Sequence, residues 1–351
     1  MITRRSALAG SAGLALSPLA MPHLARASAP EAANVRFSLD WAFQGPQSVF
    51  LLAEQRGYFR EAGLTVTIDR GAGSADTVSR VASGAYDIGF GDINAMIQFN
   101  ADPANRGKEL LAFFVLFDAS PLAVMTLKRT GIARPKDLEG RKLGAPVTDG
   151  GRQMFPAFAK FAGIDVGKIT WVTMTPQLRE PMLARGEVDA ITGFITSGVL
   201  SLKGIGVPEQ DIVVMRYREA GVPNYGSAIY CRAEYAQRNP NTVRAFTRAM
   251  TRGIRDAIAD PRASIAALRA RDSLVNAEIE LERLMLAHRE LTLTDNVKAN
   301  GLSAVDPARM KASIDVVVEV YALGSTPPVE MVYTDRFLPP REERMPPALG
   351  A

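Results

Sequence analysis

Residues 40–59, DWAFQGPQSVFLLAEQRGYF, decide the fold. They open at the end of an apolar strand (VRFSLDW, ending at Trp41) and pass through a polar corner at Phe43, Gln44 and Gly45. A helix follows with Pro46 at its first position, where the missing N–H of proline costs nothing, and Arg56-Gly57 ends it. This strand, corner and helix put Asp40, Trp41, Gln44 and Gln47 at the carboxyl end of a strand, beside helix N–H groups that have no internal partner. Open α/β sheets bind small ligands at such places.

Working outward, the same unit recurs. Residues 64–68 (LTVTI) form a second strand, and Gly71, Gly73 and Ser74 lead from it into a helix over 76–83. Residues 87–90 (DIGF) form a third, turned into another helix by Gly91, Asp92 and Asn94. An apolar piece over 110–117 leads to 122–127, and then the pattern restarts. A strand over 141–146 meets the corner Thr148-Asp149-Gly150-Gly151-Arg152, followed by a helix over 153–161 with Pro156 in its first turn, where proline is tolerated. Residues 169–174, 189–192, 212–217 and 227–231 read as further strands. Beyond them the chain is mostly helical, with Val243, Phe246, Met250, Ile254 and Ile258 on one face of a helix over 242–258. Alternating strands and helices predict an α/β fold with a mostly parallel sheet, and the restart predicts two lobes. The expected division is 34–120 and 223–336 in one lobe, 121–222 in the other, and a flexible tail over 337–351, rich in Pro, Arg and Glu.

With 351 residues, 47% hydrophobic and 22% charged, the chain has the length for two packed lobes. Residues 1–27 carry Arg4, Arg5 and Arg26 but no acid, an apolar Ala/Gly-rich core, and the small-x-small ending Ala25-Arg26-Ala27. That pattern predicts a cleaved export signal of twin-arginine type and a periplasmic mature protein. Without it, 38 basic residues face 37 acidic ones, the formal charge of +4 falls to +1, and nothing invites nucleic acid. One cysteine, Cys231, and one histidine, His288, remain, which leaves no pair for a disulfide and no Cys/His set for a metal.

Several strings point together to a family: Leu39-Asp40-Trp41, Ala53-Glu54-Gln55-Arg56-Gly57-Tyr58-Phe59 with Glu61-Ala62-Gly63-Leu64, Gly84-Ala85-Tyr86-Asp87-Ile88-Gly89, Gly186-Glu187-Val188-Asp189-Ala190, and Arg238-Asn239-Pro240. In that order, behind an export signal, the chain resembles the substrate-binding proteins of ABC importers, in the group of NMT1/THI5-like thiamine-pyrimidine, taurine, alkanesulfonate and nitrate binders. The resemblance implies a two-lobed periplasmic-binding-protein fold of type II, with crossings near 118–124 and 217–226 and a ligand cleft between the lobes. It implies a monomeric receptor that hands a small molecule to an inner-membrane ABC permease, without cofactor, metal or catalysis. The corner from Phe194 to Gly198 departs from the thiamine-pyrimidine binders, which carry a carboxylate there.

The candidate ligand residues follow from the corners. In the first lobe they are Asp40, Trp41, Gln44, Gln47, Ser74, Asp92, Asn94 and Phe117; in the second, Thr148, Asp149, Gly150, Gly151, Arg152, Thr192, Phe194 and Thr196; near the second crossing, Asn224 and Tyr225. Trp41 offers a stacking face, with a buried core role as the alternative. Asp40 and Asp92 serve N–H donors or cap helices. Arg152 offers a bidentate contact to an acidic group, or is a surface arginine. These features favour a nitrogen heterocycle such as a thiamine-related pyrimidine, or another aromatic compound, over a sulfonate, taurine or nitrate-type anion. An enzyme on the same scaffold, desulfinase-like or pyrimidine-synthase-like, needs a nucleophile and base, and Cys231 and His288 are far apart on unlike elements. The expectation is therefore a receptor and not an enzyme.

Overall fold

The computed structural model describes residues 29–350, and the expected export signal lies outside the described residues. In chain order the strands are β1 (Asn34–Ser38), β2 (Thr65–Asp69), β3 (Ile88–Asp92), β4 (Leu110–Val115), β5 (Leu122–Leu127), β6 (Lys142–Ala145), β7 (Thr170–Thr173), β8 (Ala190–Phe194), β9 (Ile212–Arg216) and β10 (Ser227–Arg232). They form two five-stranded sheets, ordered β2-β1-β3-β10-β4 and β7-β6-β8-β5-β9. Each sheet is the other's topological copy. β1 runs parallel to β2 and β3, as β6 does to β7 and β8. One strand in each sheet runs against its neighbours: β10 between β3 and β4, and β5 between β8 and β9.

Those two reversals share one cause. β5 and β10 are the strands that each follow a crossing from the other sheet, so they enter at the edge where the parallel strands end. The edge that receives the crossings is thus the one that carries the strand-end corners. β3, β4, β5 and β8 are buried at every position, as strands with helices over both faces must be, whereas the edge strand β2 alternates exposed and buried. The Pro240–Ala259 helix buries Val243, Phe246, Met250, Ile254 and Ile258 against the first sheet, with Phe246 within 5.2 Å of the Phe37 and Phe59 rings.

Two local expectations fail. The second-sheet helix spans Gly150–Ala162, so Pro156 lies inside it and not in its first turn. Asp149 starts it early, because its side chain accepts from the Arg152 backbone N–H (2.9 Å) and satisfies a donor that the first turn leaves free. The tail is also packed. Phe337 is buried edge-on to Phe113, the Gly350 N–H donates to the Ile258 carbonyl (2.8 Å), and Arg344 donates to the Leu302 carbonyl. Proline-rich composition signals extended backbone, and extended backbone with an aromatic anchor can pack as well as a helix.

Candidate functional site

The corners of both sheets meet in one cleft. In the first lobe, Asp40 follows β1 and is buried; its Oδ1 accepts from Gln47 Nε2 (3.0 Å), while Gln47 Oε1 has no partner. Asp92 closes β3 and caps the Ile93–Ala101 helix. Its Oδ1 accepts from the Asn94 backbone N–H (2.8 Å) and Asn94 Nδ2 (2.7 Å), and its Oδ2 has no protein partner. Ser74 Oγ accepts from the Asp92 N–H (3.0 Å). No cation touches either carboxyl, and burial pushes both up to about 7.

The second lobe answers with an ion cluster. Asp149 Oδ1 accepts from the Arg152 N–H and from Thr192 Oγ1 (3.1 Å), and Oδ2 accepts from Arg179 Nη1 (3.0 Å). Arg179 Nε and Nη2 donate to Glu180 Oε1 at 2.9 and 2.6 Å. Burial works against the charge of this guanidinium, but Glu180 and Asp149 outweigh it and hold its pKa above the usual value. At Asp149 burial wins over Arg179, and the carboxyl is raised. The Arg179 Cζ lies 4.8 Å from the Trp41 ring centroid, so a cation of the second lobe stacks on the aromatic plate of the first. Gly193 makes the room. It has φ +153°, and a Cβ there would come within 2.4 Å of Arg179 Nη1.

The lobes are shut. Thr148 Oγ1 donates to the Ala72 carbonyl (2.6 Å), the Ala75 N–H donates to the Thr148 carbonyl (3.3 Å), and Ser197 Oγ donates to Gln44 Oε1 (2.7 Å). Arg283, held by Glu280 on the Ala277–Ala287 helix, donates to the Thr196 and Ser197 carbonyls at 2.6 and 2.8 Å. The gap left among Asp40, Trp41, Ser74, Asp149, Arg179 and Phe194 is about 20 Å³, the space of a single water.

Of the expected residues, Asp40, Trp41, Ser74, Asp149, Gly150 and Phe194 line this gap. Gln44, Gln47, Asp92, Thr148 and Thr192 stand directly behind it, and Thr196 takes part through its carbonyl. Gly151 packs on Gly193, where a Cβ would lie 2.5 Å from the Gly193 nitrogen. Others belong elsewhere. Asn224 Nδ2 donates to Asn94 Oδ1 (2.6 Å), which ties the second crossing to the first lobe. Tyr225 is buried beneath Arg309 at 3.9 Å, and its hydroxyl accepts from the Asp306 N–H. Phe117 is core, edge-on to Phe90.

Arg152 is the clearest correction. Three residues past its cap it turns back over the second sheet, donates to the Ala145 carbonyl and Thr173 Oγ1, and stacks on Trp171 at 4.7 Å. The cation at the cleft is Arg179. Sequence reasoning passed over it together with Glu180 and Ser197, although the corner after β7 belongs to the same sheet edge as the others and Pro176 marks it. Cys231 and His288 are buried in the first lobe away from the gap; burial pushes the thiol up to about 12 and the imidazole down to about 4. Among the described residues no group of three or more His, Cys, Asp and Glu side chains is placed to hold a metal, and no helix is long and apolar enough to cross a membrane.

Two mixed sheets with a cleft between their strand-end corners define a periplasmic-binding-protein fold. The alkanesulfonate-binding protein SsuA from Xanthomonas axonopodis pv. citri, bound to MOPS, shares it with a TM-score of 0.65 at 18% identity, over 87% of this chain and 99% of that one. The periplasmic nitrate-binding protein NrtA from Synechocystis PCC 6803 gives 0.66 at 11% identity, over 88% of each. The chain belongs to the NMT1/THI5 like family, whose model matches residues 47–264, more than half of its length. Curated relatives carry an enzyme's name. The 4-amino-5-hydroxymethyl-2-methylpyrimidine phosphate synthase of Schizosaccharomyces pombe is 26% identical over 238 residues, 65% of this chain and 66% of the relative. Its namesake from Legionella pneumophila is 24% identical over 220 residues, 63% and 68% of the two chains. The matches thus span about two thirds of each relative. They overturn the expectation that the chain is not an enzyme, since relatives in its own family, one of them bacterial, are named for a synthase.

Proposed function

We propose that this chain captures a small planar nitrogen heterocycle of aminopyrimidine type by closing its two lobes, and presents it to an inner-membrane ABC importer from the periplasm. One observation carries the reading: Asp40 and Asp149 line the gap beside Trp41 and Phe194, Asp92 is buried directly behind it, and Arg179 is the one cation among the lining residues. An anion entering there would meet the Asp40 and Asp149 carboxyls and an arginine whose charge is already paired. A ring bearing N–H donors would meet partners for them and an aromatic face to stack on. Contacts from both lobes are what favour closure, since a ligand shifts an equilibrium only by its differential affinity for the two states.

A second reading, catalysis in the same cleft, is supported by the names of those relatives and by two carboxyls near 7, where one group can both give and take a proton. Calorimetry and thermal unfolding with 4-amino-5-hydroxymethyl-2-methylpyrimidine, taurine and nitrate test the capture. The pyrimidine at 100 times its dissociation constant is expected to stabilise the protein by roughly 2.7 kcal/mol. Stabilisation by taurine or nitrate with none from the pyrimidine would sink the proposal, and formation of the pyrimidine phosphate by the purified protein, followed by mass spectrometry, would move it to the catalytic reading.

A further inference from the structure

The guanidinium of Arg179 has the shape, charge and contacts that the proposed ligand would need. It is planar and cationic, it lies over Trp41 at 4.8 Å, and an N–H at one end of its N–C–N edge meets Asp149 Oδ2 at 3.0 Å. The side chain is 2% exposed and leaves a gap fit for one water. We propose that Arg179 is an internal occupant of the ligand seat, and that the seat takes a planar N–C–N cation, an amidinium, guanidinium or protonated aminopyrimidine, which displaces the arginine from Trp41 and Asp149. This rests on the capture reading above and narrows its ligand to a charge and a shape.

The competing role for Arg179, anchor for an acidic ligand group, fits the surroundings less well. Its charge is already met by two buried carboxylates, Asp149 and Glu180, and the other ionisable side chain lining the gap is the carboxyl of Asp40. Directly behind the lining, Gln47 Oε1 and Asp92 Oδ2 are buried without a partner, as is the Tyr230 hydroxyl. Unpartnered buried acceptors cost free energy until a donor meets them. Gly150 brings the second lobe onto these groups, since a Cβ on it would lie 3.4 Å from Ser74 Oγ and 3.5 Å from the Asp92 Cβ. The two halves of the seat are therefore in contact, and the only cation among the residues lining it is the one that Arg179 carries in. Glu180, next in the chain, holds Nε and Nη2 and travels with the arginine. A swing of Arg179 out of the seat thus strips it of Asp149 and Trp41 but not of its neighbouring carboxylate, which lowers the cost of displacement.

Displacement has a measurable signature. An occupant that fills the seat most of the time lowers the apparent affinity of an outside ligand by the fraction of time the seat is free. Two probes of one shape and opposite charge separate the roles: benzamidine and benzoate, titrated by calorimetry into the wild-type protein and Arg179→Met. Benzamidine is expected to bind Arg179→Met at least roughly tenfold more tightly than wild type, and benzoate to bind neither. Because Arg179→Met leaves two buried carboxylates without a cation, the double variant Arg179→Met with Glu180→Gln is measured beside it. In a Trp171→Phe background, where Trp41 is the one tryptophan left, benzamidine should also change the emission of Trp41.

Benzoate binding to wild type that disappears with Arg179 overturns the proposal and makes the arginine an anchor. Benzamidine binding that is equal or weaker in both variants overturns it too. If the aminopyrimidine binds wild type while benzamidine gains nothing in the variants, the internal occupant is wrong and the capture reading stands. If no planar nitrogen compound binds any of the proteins, both are wrong.

Discussion

The two lobes bring carboxyl groups to one cleft and treat them in opposite ways. Asp40 and Asp92 sit at the ends of β1 and β3 with amide neighbours only, and burial raises both to about 7. Asp149 occupies the matching corner of the second sheet, after β6, and has Arg179 within 3.0 Å. Position in the fold is the same and the sheets share one topology. What differs is a cation supplied by the corner of the next strand. A carboxyl at a strand end is thus a paired structural ion or an unpaired titrating group according to what a neighbouring corner contributes, and among the described residues at the cleft the first lobe holds the unpaired ones.

The sharpest way to break this contrast is to remove the paired member. Asp149→Ala takes the cap from the Gly150–Ala162 helix and one of two partners from a buried arginine, so a loss of roughly 3–5 kcal/mol is expected in urea unfolding. A loss below about 1 kcal/mol would mean that Glu180 alone suffices for Arg179.

Asp92→Asn tests the unpaired side through pH. The folded carboxyl, raised to about 7, holds its proton in the window between about 4 and 7, where the unfolded one has lost it. Its contribution is therefore complete below the unfolded pKa and is lost as pH rises through the folded one. Wild-type stability should fall by roughly 2–4 kcal/mol per such group between pH 4 and 8. The asparagine variant, which keeps the cap, should show a visibly flatter profile in unfolding midpoints taken across that range. An unchanged slope would show that Asp92 is not the titrating group.

Trp41→Ala addresses the plate on which both lobes meet. Loss of a desolvated cation–π or stacking contact is worth about 1–2 kcal/mol, so affinity for the aminopyrimidine should drop by about 5- to 30-fold with the unfolding transition retained. An unchanged affinity, or a variant that fails to fold, would make Trp41 a core residue. Arg152→Ala gives the smallest effect. Its side chain bonds to its own lobe and covers Trp171, so ligand affinity should stay within about twofold and stability within about 1 kcal/mol. A larger loss of affinity would return Arg152 to the site.

Much of the architecture is legible in local patterns. The β-branched runs, the strand-to-helix corners and the restart near residue 141 correspond to observed elements, because burial on a sheet imposes its period on the sequence. The Gly150–Ala162 helix starts three residues before the sequence predicts, since Gly150-Gly151 reads as a turn and the Asp149 cap shows only in the fold. The tail packs against its expected flexibility for a related reason: proline content reports backbone conformation and not whether Phe337 finds a core.

For the candidate site, the positions of strand-end residues are legible in the sequence and their contacts are not. Asp40, Trp41, Ser74, Asp149, Gly150 and Phe194 reach the gap because a strand end can point to one edge only. Whether an arginine faces the ligand or the back of its own sheet depends on the turn of a helix and on a glycine 14 residues further on, at Gly193, which leaves space for Arg179. The opening stretch, residues 40–59, thus determined by itself that a strand ends beside an aromatic plate and a helix start. That Trp41 carries an arginine of the opposite lobe, and that Asp40 titrates near neutrality, was decided by closure of the two lobes. Contact and desolvation are properties of the assembled cleft and of no single stretch of chain.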